Sequence, residues 1–170
     1  MSAVDHTDLL PLSDAELLRQ CQVDTFRGPG RGGQKRNKTE TAVRLRHGPS
    51  GLSAQSDETR SQHQNKARAL ALLRERIALA LRRGLSLEGY LAPAELVELC
   101  RGAIGRRNPR YLPAVAALLD LLEACGGSVS ETARRLGLST GALSRLILAD
   151  VRLHGAVNAL RAARELRPLR

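Results

Sequence analysis

Two periods alternate along the first half of the chain. Ser13, with Glu16 three residues on and Leu12 and Leu17 as a flanking apolar pair, has the pattern of a capping box and predicts a short helix ending near Gln20. Cys21–Phe26 carries β-branched and aromatic residues suited to a strand. Ala42–His47 alternates apolar and basic positions, which predicts a half-buried strand with Arg44 and Arg46 facing out. Gly48-Pro49-Ser50-Gly51 is a turn by composition, and Leu52–Ser56 alternates again, closing a hairpin. From about Arg60 the period becomes helical. Ala67, Leu70, Leu73, Ile77 and Leu81 fall three or four apart and predict one apolar face, with Arg68, Arg74 and Arg76 off it and Gly84 as the C-cap. These elements make a small α+β unit, a three-stranded sheet with a long packing helix.

Beyond a compositional break at Gly84–Pro93 every pattern is helical. Pro93 suits the first turn of a helix running to about Ile104, and Tyr111–Cys125 is a strongly apolar helix stopped by Gly126-Gly127. Its Leu118, Leu119, Leu121 and Leu122 read as core. A second capping box, Ser128 with Glu131, opens a helix that ends at Gly137. Ser139 caps Thr140–Ala149, and a last helix covers about Val151–Leu166. Residues 131–146 have a helix-turn-helix pattern, with Ala133 at the crossing, Gly137 in the turn and Leu136, Leu143 and Leu146 inside. The expected organisation is therefore an α+β domain over residues 1–85 and an all-α domain over 91–170.

Charge adds a direction. The formal net charge is +10, and it is uneven: residues 1–25 hold one basic and five acidic side chains, residues 26–90 hold 14 and five, and residues 91–170 hold 12 and seven. The middle third is the electrostatic footprint and points to a polyanion, although a solvated basic surface accounts for the charge equally well. No helix pairs a lysine-rich face with an aromatic one, so nucleic acid is preferred over a membrane. Met1–Pro11 lacks the pattern of a signal peptide, and the dispersed cysteines Cys21, Cys100 and Cys125 fit a reducing, cytoplasmic setting. His6, His47, His63 and His154 have no ligand spacing, so neither a metal nor another cofactor is expected.

The chemistry is concentrated in Arg27-Gly28-Pro29-Gly30-Arg31-Gly32-Gly33-Gln34, where four glycines and a proline break both periods. Bare backbone lets such a loop approach another molecule closely, and Arg27, Arg31, Lys35, Arg36 and Lys38 surround it with positive charge. The loop offers neither a nucleophile beside a base nor a pair of acids. On its own it reads at least as well as a phosphate-binding loop without chemistry.

In order and spacing, however, this loop resembles the catalytic domain of class I peptide-chain release factors. The likeness continues through Asn37-Lys38-Thr39, Ala42-Val43-Arg44-Leu45, Gly51-Leu52 and Arg60-Ser61-Gln62-His63-Gln64-Asn65-Lys66, and covers about residues 13–83. It implies hydrolysis of the peptidyl-tRNA ester in the peptidyl transferase centre. Gly32 and Gly33 would shape the backbone, and the Gln34 N–H would stabilise developing charge while its side chain helped to place the water. Ribosomal RNA and the terminal ribose of the tRNA would supply the rest, and Gln34 would be a candidate for methylation. Arg44, Arg46, Arg60 and Lys66, with the loop cations, would meet RNA phosphates; Ser61 and Asn65 are assigned first to supporting the fold. Arg31 stands where the family usually has a small residue or proline, and Lys35-Arg36 stand where many members have His-Val.

The resemblance leaves two questions open. Only 12 residues precede the first predicted helix, and no decoding tripeptide is found, so the expected activity is stop-codon-independent rescue of stalled ribosomes or large subunits. The helix-turn-helix reads either as a nucleic-acid reader, with Thr140–Leu148 as recognition helix, or as a bundle with a tight turn docking on RNA or a helper protein. Its one arginine and few hydroxyls favour the bundle. A ribosome- or RNA-binding factor without catalysis and a DNA-binding regulator are the alternatives.

Overall fold

In the computed structural model, which describes residues 4–27 and 40–170, the polypeptide folds as two units. The first contains Asp8–Ile77 and the second Asp5–Thr7 with Ala78–Arg170. Helices α1 (His6–Leu9) and α2 (Asp14–Arg19) precede strands β1 (Cys21–Phe26), β2 (Ala42–His47) and β3 (Ser53–Ser56), and helix α3 (Gln62–Ala80) comes after them. α1 has no signature in the apolar pattern.

At α2 both halves of the capping box form: the Glu16 N–H donates to Ser13 Oγ at 3.3 Å, and the Ser13 N–H donates to the Glu16 carboxylate at 2.8 Å. The three strands make an antiparallel sheet in the order β1-β2-β3, paired from Cys21 with His47 to Phe26 with Ala42, and from Val43 with Ser56 to Arg46 with Ser53. Side chains alternate across a strand. Val43, Leu45 and Ala54 are accordingly buried, while Arg46 and Gln55 are exposed. These buried residues, with Leu17 and the α3 residues Ala69, Leu70, Leu73 and Ile77, form the core of the first unit. Ala67 is exposed, contrary to the predicted stripe; with alanines at 67, 69 and 71 the pattern had two possible edges, and the one through Ala69 is inside. Arg74 ties α3 to the chain before α2, donating to the Leu10 and Leu12 carbonyls at 3.2 and 2.6 Å and to Asp14 at 2.8 Å.

α3 stops at Ala80, short of Gly84. In the second unit the Arg83 N–H, which another helical turn would use, donates to Asp120 Oδ1 at 3.0 Å. Arg82 donates to the Ala78 carbonyl at 2.6 Å and the Ala116 carbonyl at 3.2 Å, and lies 3.3 Å from Asp120. His6 Nε2 approaches the same buried carboxylate to 2.5 Å. Burial pushes the Arg82 pKa down, against the opposing pull of Asp120.

The second unit continues with α4 (Ala94–Cys100), α5 (Tyr111–Ala124), α6 (Val129–Arg135), α7 (Thr140–Leu148) and α8 (Val151–Ala162). α5 is apolar on nearly every side, as a helix surrounded by others should be. Its Val115, Leu118, Leu119 and Leu122 meet Leu96, Leu99, Ala133, Leu143, Ile147, Leu153 and Val157 in one core. α4 ends before Ile104 because Gly102, at φ +71°, turns the chain while the Ala103 N–H closes on the Glu98 carbonyl at 2.9 Å. Ser128 caps α6, but the Glu131 carboxylate turns to Arg134 and Arg135 at 2.7–2.9 Å, so the second capping box forms through its Ser128 half. α6, the turn at Gly137 (φ +67°) and α7 reproduce the helix-turn-helix, with Ala133 and Leu143 fully buried and Leu136 and Leu146 partly so. α8 ends four residues before Leu166, where the Leu166 N–H returns to the Arg161 carbonyl at 3.0 Å. No single helix among the described residues is long and apolar enough to cross a membrane.

Asp150 joins three parts of this unit. It caps α8 through the Arg152 and Leu153 N–H groups at 2.9 and 3.2 Å, and accepts from Arg106 Nε at 3.0 Å and from the Tyr111 hydroxyl. Burial raises its pKa, but the Arg106 and Tyr111 hydrogen bonds and the two backbone N–H groups outweigh it and hold the carboxyl at about 2. Burial and the Asp150 charge push the Tyr111 phenol up to about 12. A depressed acid stabilises the fold above its ordinary pKa and ceases to do so as pH falls through the folded value. Asp150→Asn is therefore expected to cost about 2 kcal/mol at neutral pH, with the gap from wild type closing between about pH 4 and pH 2. Urea unfolding across that range checks it; a gap independent of pH refutes it.

Candidate functional site

The first unit is built around the two stems of one connection. Phe26 ends β1 directly opposite Ala42, which begins β2, so the chain leaves and re-enters the sheet at one point. Gly32, Gly33 and Gln34, and the cations Arg31, Lys35, Arg36 and Lys38, lie outside the described residues. Arg27, the last described residue before them, is exposed.

The returning stem is held by Asn65, which is fully buried on α3. Its Nδ2 donates to the Thr41 and Thr59 carbonyls at 2.8 Å each. Its Oδ1 accepts from the Thr59 N–H at 3.0 Å and lies 3.1 Å from the Thr59 hydroxyl. Both amide hydrogens and the carbonyl oxygen are thus used, which fixes its orientation. Ser61 caps the start of α3, accepting from the Gln64 N–H at 3.3 Å. Asn65 and Ser61 therefore support the fold, as assigned. The Asn65 to Thr41 bond, 24 residues apart, has no trace in spacing or periodicity.

Of the predicted RNA contacts, Arg44 and Arg46 sit two apart on β2, on the side opposite the buried Val43 and Leu45. Arg44 donates through Nε and Nη2 to Gln55 Oε1 at 3.2 Å, and its guanidinium stands 5.1 Å from the centre of the Phe26 ring. Held this way, the cation loses less freedom on meeting a phosphate. Arg46 is 3.5 Å from Asp24, a partly exposed pair that gives way readily to a stronger anion. Arg60 is exposed just before α3, and Lys66 is half-buried on it. These two stand with Asn65 on the α3 side of the unit and are not joined to the Arg44–Arg46 pair by any described contact.

His47 has no ligand spacing in the sequence, and its role is structural. Fully buried at the end of β2, it has Nε2 at 2.9 Å from Gln20 Oε1 and Nδ1 at 2.7 Å from Ser50 Oγ. Burial pushes its pKa down, so the ring is neutral at pH 7, its Nε2–H donating to Gln20. Among the described residues, no group of three or more His, Cys, Asp or Glu side chains is placed to hold a metal ion.

Comparison with known proteins agrees with this geometry. Residues 17–86, the segment holding the sheet and α3, match the RF-1 domain family. Peptide chain release factor 1 of Leptothrix cholodnii is 47% identical over 77 residues, 45% of this chain and 20% of that protein. Peptide chain release factor 1 of Delftia acidovorans is 46% identical over 77 residues, with the same coverage. The chain thus spans about a fifth of the length of the curated relatives it matches. A domain match over this segment and close identity to two release factors have one common meaning: residues 17–86 belong to the RF-1 domain family of class I peptide-chain release factors.

Proposed function

We propose that the protein hydrolyses the ester of peptidyl-tRNA on the ribosome, using Gly32, Gly33 and Gln34, and does so without reading a stop codon. The observation that carries the reading is the intact Gly32-Gly33-Gln34 sequence inside an RF-1 domain whose sheet grips both ends of the connection bearing it. The loop would be a delivery device. The Gln34 N–H would donate to the oxygen on which negative charge develops as water adds to the ester carbonyl carbon, and its side chain would help to place that water. The carbon–oxygen bond to the terminal ribose then breaks, and the ribose oxygen leaves as a hydroxyl. Positioning and hydrogen bonding suffice here because RNA supplies the remaining groups. Arg27, Arg31, Lys35, Arg36, Lys38, Arg44, Arg46, Arg60 and Lys66 would neutralise ribosomal RNA phosphates, making binding steeply salt-sensitive. Gln34 is also the proposed site of methylation.

Stop-codon independence is supported by where the likeness stops. The family match ends at residue 86, and the remainder of this chain is a helical unit with its own core. We assign targeting to that unit, through RNA or a helper protein, and the setting to the cytoplasm. The competing reading, a DNA-binding regulator, has the α6–α7 geometry in its favour. Yet α7 exposes only Thr140, Gly141, Arg145 and Leu148, a poor set for reading base edges.

The test is release of labelled peptide from ribosomes stalled on mRNA without a stop codon. Wild type is expected to release it, and a variant with Gly32, Gly33 and Gln34 all replaced by alanine to lose release while still binding. Equal release by both refutes the assignment. Selective DNA retention, with no release on ribosomes or isolated large subunits, would favour the regulator.

A further inference from the structure

We propose that the α4–α5 connection, residues 101–110, is a docking surface for the phosphate backbone of structured RNA. The proposal rests on the preceding reading only in taking RNA as what this protein meets. Arg101-Gly102-Ala103-Ile104-Gly105-Arg106-Arg107-Asn108-Pro109-Arg110 contains four arginines and no acid. Two acids face it from neighbouring elements: Asp150, which binds Arg106, and Glu98, which lies 2.7 Å from Arg110. Each offsets one arginine, leaving Arg101 and Arg107, both exposed, as uncompensated charge. Even the paired Arg106 and Arg110 keep 56% and 49% of their side-chain surface open.

The backbone of this stretch is held in place. Ile104 is buried in the helical core, the Asn108 N–H donates to the Gly105 carbonyl at 2.8 Å, and Asn108 Oδ1 accepts from the Arg110 N–H at 2.9 Å. Asp150 then fastens Arg106 to the start of α8. Ala103–Asn108 border an open hollow, and the N–H groups of Gly105, Arg106 and Arg107 donate to no group among the described residues. Free N–H groups beside arginine forks are a donor set that phosphate oxygens match. Gly102 and Ala103 follow Arg101 and Gly105 precedes Arg106, so a backbone can come close. The large apolar side chain of the stretch, Ile104, is buried, leaving nothing to insert into a membrane. The donors this stretch offers are guanidiniums and backbone N–H groups, which match the phosphate oxygens common to every RNA sequence. The surface should therefore bind RNA irrespective of its sequence.

The experiment uses the full chain. Binding to short RNA duplexes of two unrelated sequences, and to large ribosomal subunits, is measured against salt for wild type, R101Q/R107Q and R167Q/R170Q. The last removes the same charge elsewhere on the helical unit. R101Q/R107Q is expected to weaken binding about tenfold and to lower the log–log salt slope by about two, equally on both sequences. R167Q/R170Q should stay within about twofold of wild type. On stalled ribosomes the first variant should raise KM with kcat unchanged. Equal losses in the two variants, an unaltered R101Q/R107Q, or displacement of RNA by polyglutamate as effectively as by competing RNA would overturn the proposal. Wild type that binds RNA in the expected pattern but releases no peptide would sustain this surface and remove the hydrolase reading instead.

Discussion

Asn65→Ala should destabilise the first unit by about 3 kcal/mol or more, and lower peptide release beyond what the loss of folded protein explains. The amide is fully buried, and its removal leaves the Thr41 carbonyl, the Thr59 carbonyl and the Thr59 N–H without partners. A fully buried orphan costs about 1–3 kcal/mol, and these part-buried ones lie toward about 1, against a total stability of about 5–15 kcal/mol for a domain. Partial relaxation keeps the sum near the lower end. Asn65→Asp should not rescue it, because a carboxylate oxygen would replace Nδ2 against two carbonyl oxygens. The further loss in release arises at Thr41, which lies immediately before β2 on the returning stem. Without the Asn65 bond the stem leading from the proposed catalytic loop loses its anchor ahead of the Ala42–Phe26 pair. Urea unfolding, with release measured where the variant is fully folded, checks both parts. A variant within about 1 kcal/mol of wild type, or one whose release tracks only its folded fraction, counts against this role.

The second large effect separates the two contributions proposed for Gln34. Gln34→Pro removes the backbone N–H, and deleting one donor to a developing oxyanion costs about 10²–10³-fold in rate. Gln34→Ala keeps that N–H and should lose less. It should also admit nucleophiles larger than water, because the side chain proposed to place the water, and to fill the space beside it, is gone. Release in the presence of hydroxylamine reads this out, and equal rates for Ala and Pro would move the function of Gln34 from its backbone to its side chain.

What could be read from the sequence divides along a physical line. Ser13 with Glu16, and the alternation around Leu45, act between neighbours in the chain, and the structure has them where the pattern puts them. The helix-turn-helix was legible for the same reason: Ala133, Gly137 and Leu143 impose local geometry. Polar groups meeting across long separations carry no period. His6 and Asp120 are 114 residues apart, and Asn65 and Thr41 are 24 apart. The helix end that fell short at α3 did so for a related reason. α3 stops where the Arg83 N–H is taken by Asp120, a partner no local rule could supply. The candidate site reads as a motif in a recognisable setting; its residues lie outside the described ones, and the fold adds what fixes the stems on either side: Phe26 opposite Ala42, and Asn65 on Thr41.

The most direct test of the central claim is the single-turnover rate of peptide release from ribosomes carrying peptidyl-tRNA and an empty codon site, for wild type and Gln34→Pro at saturating protein. The predicted result is release by wild type that is no faster when a stop codon is supplied, and a rate lower by about 10²–10³-fold for the variant. Release by wild type only when a stop codon is present, or equal rates for the two proteins, would contradict the account.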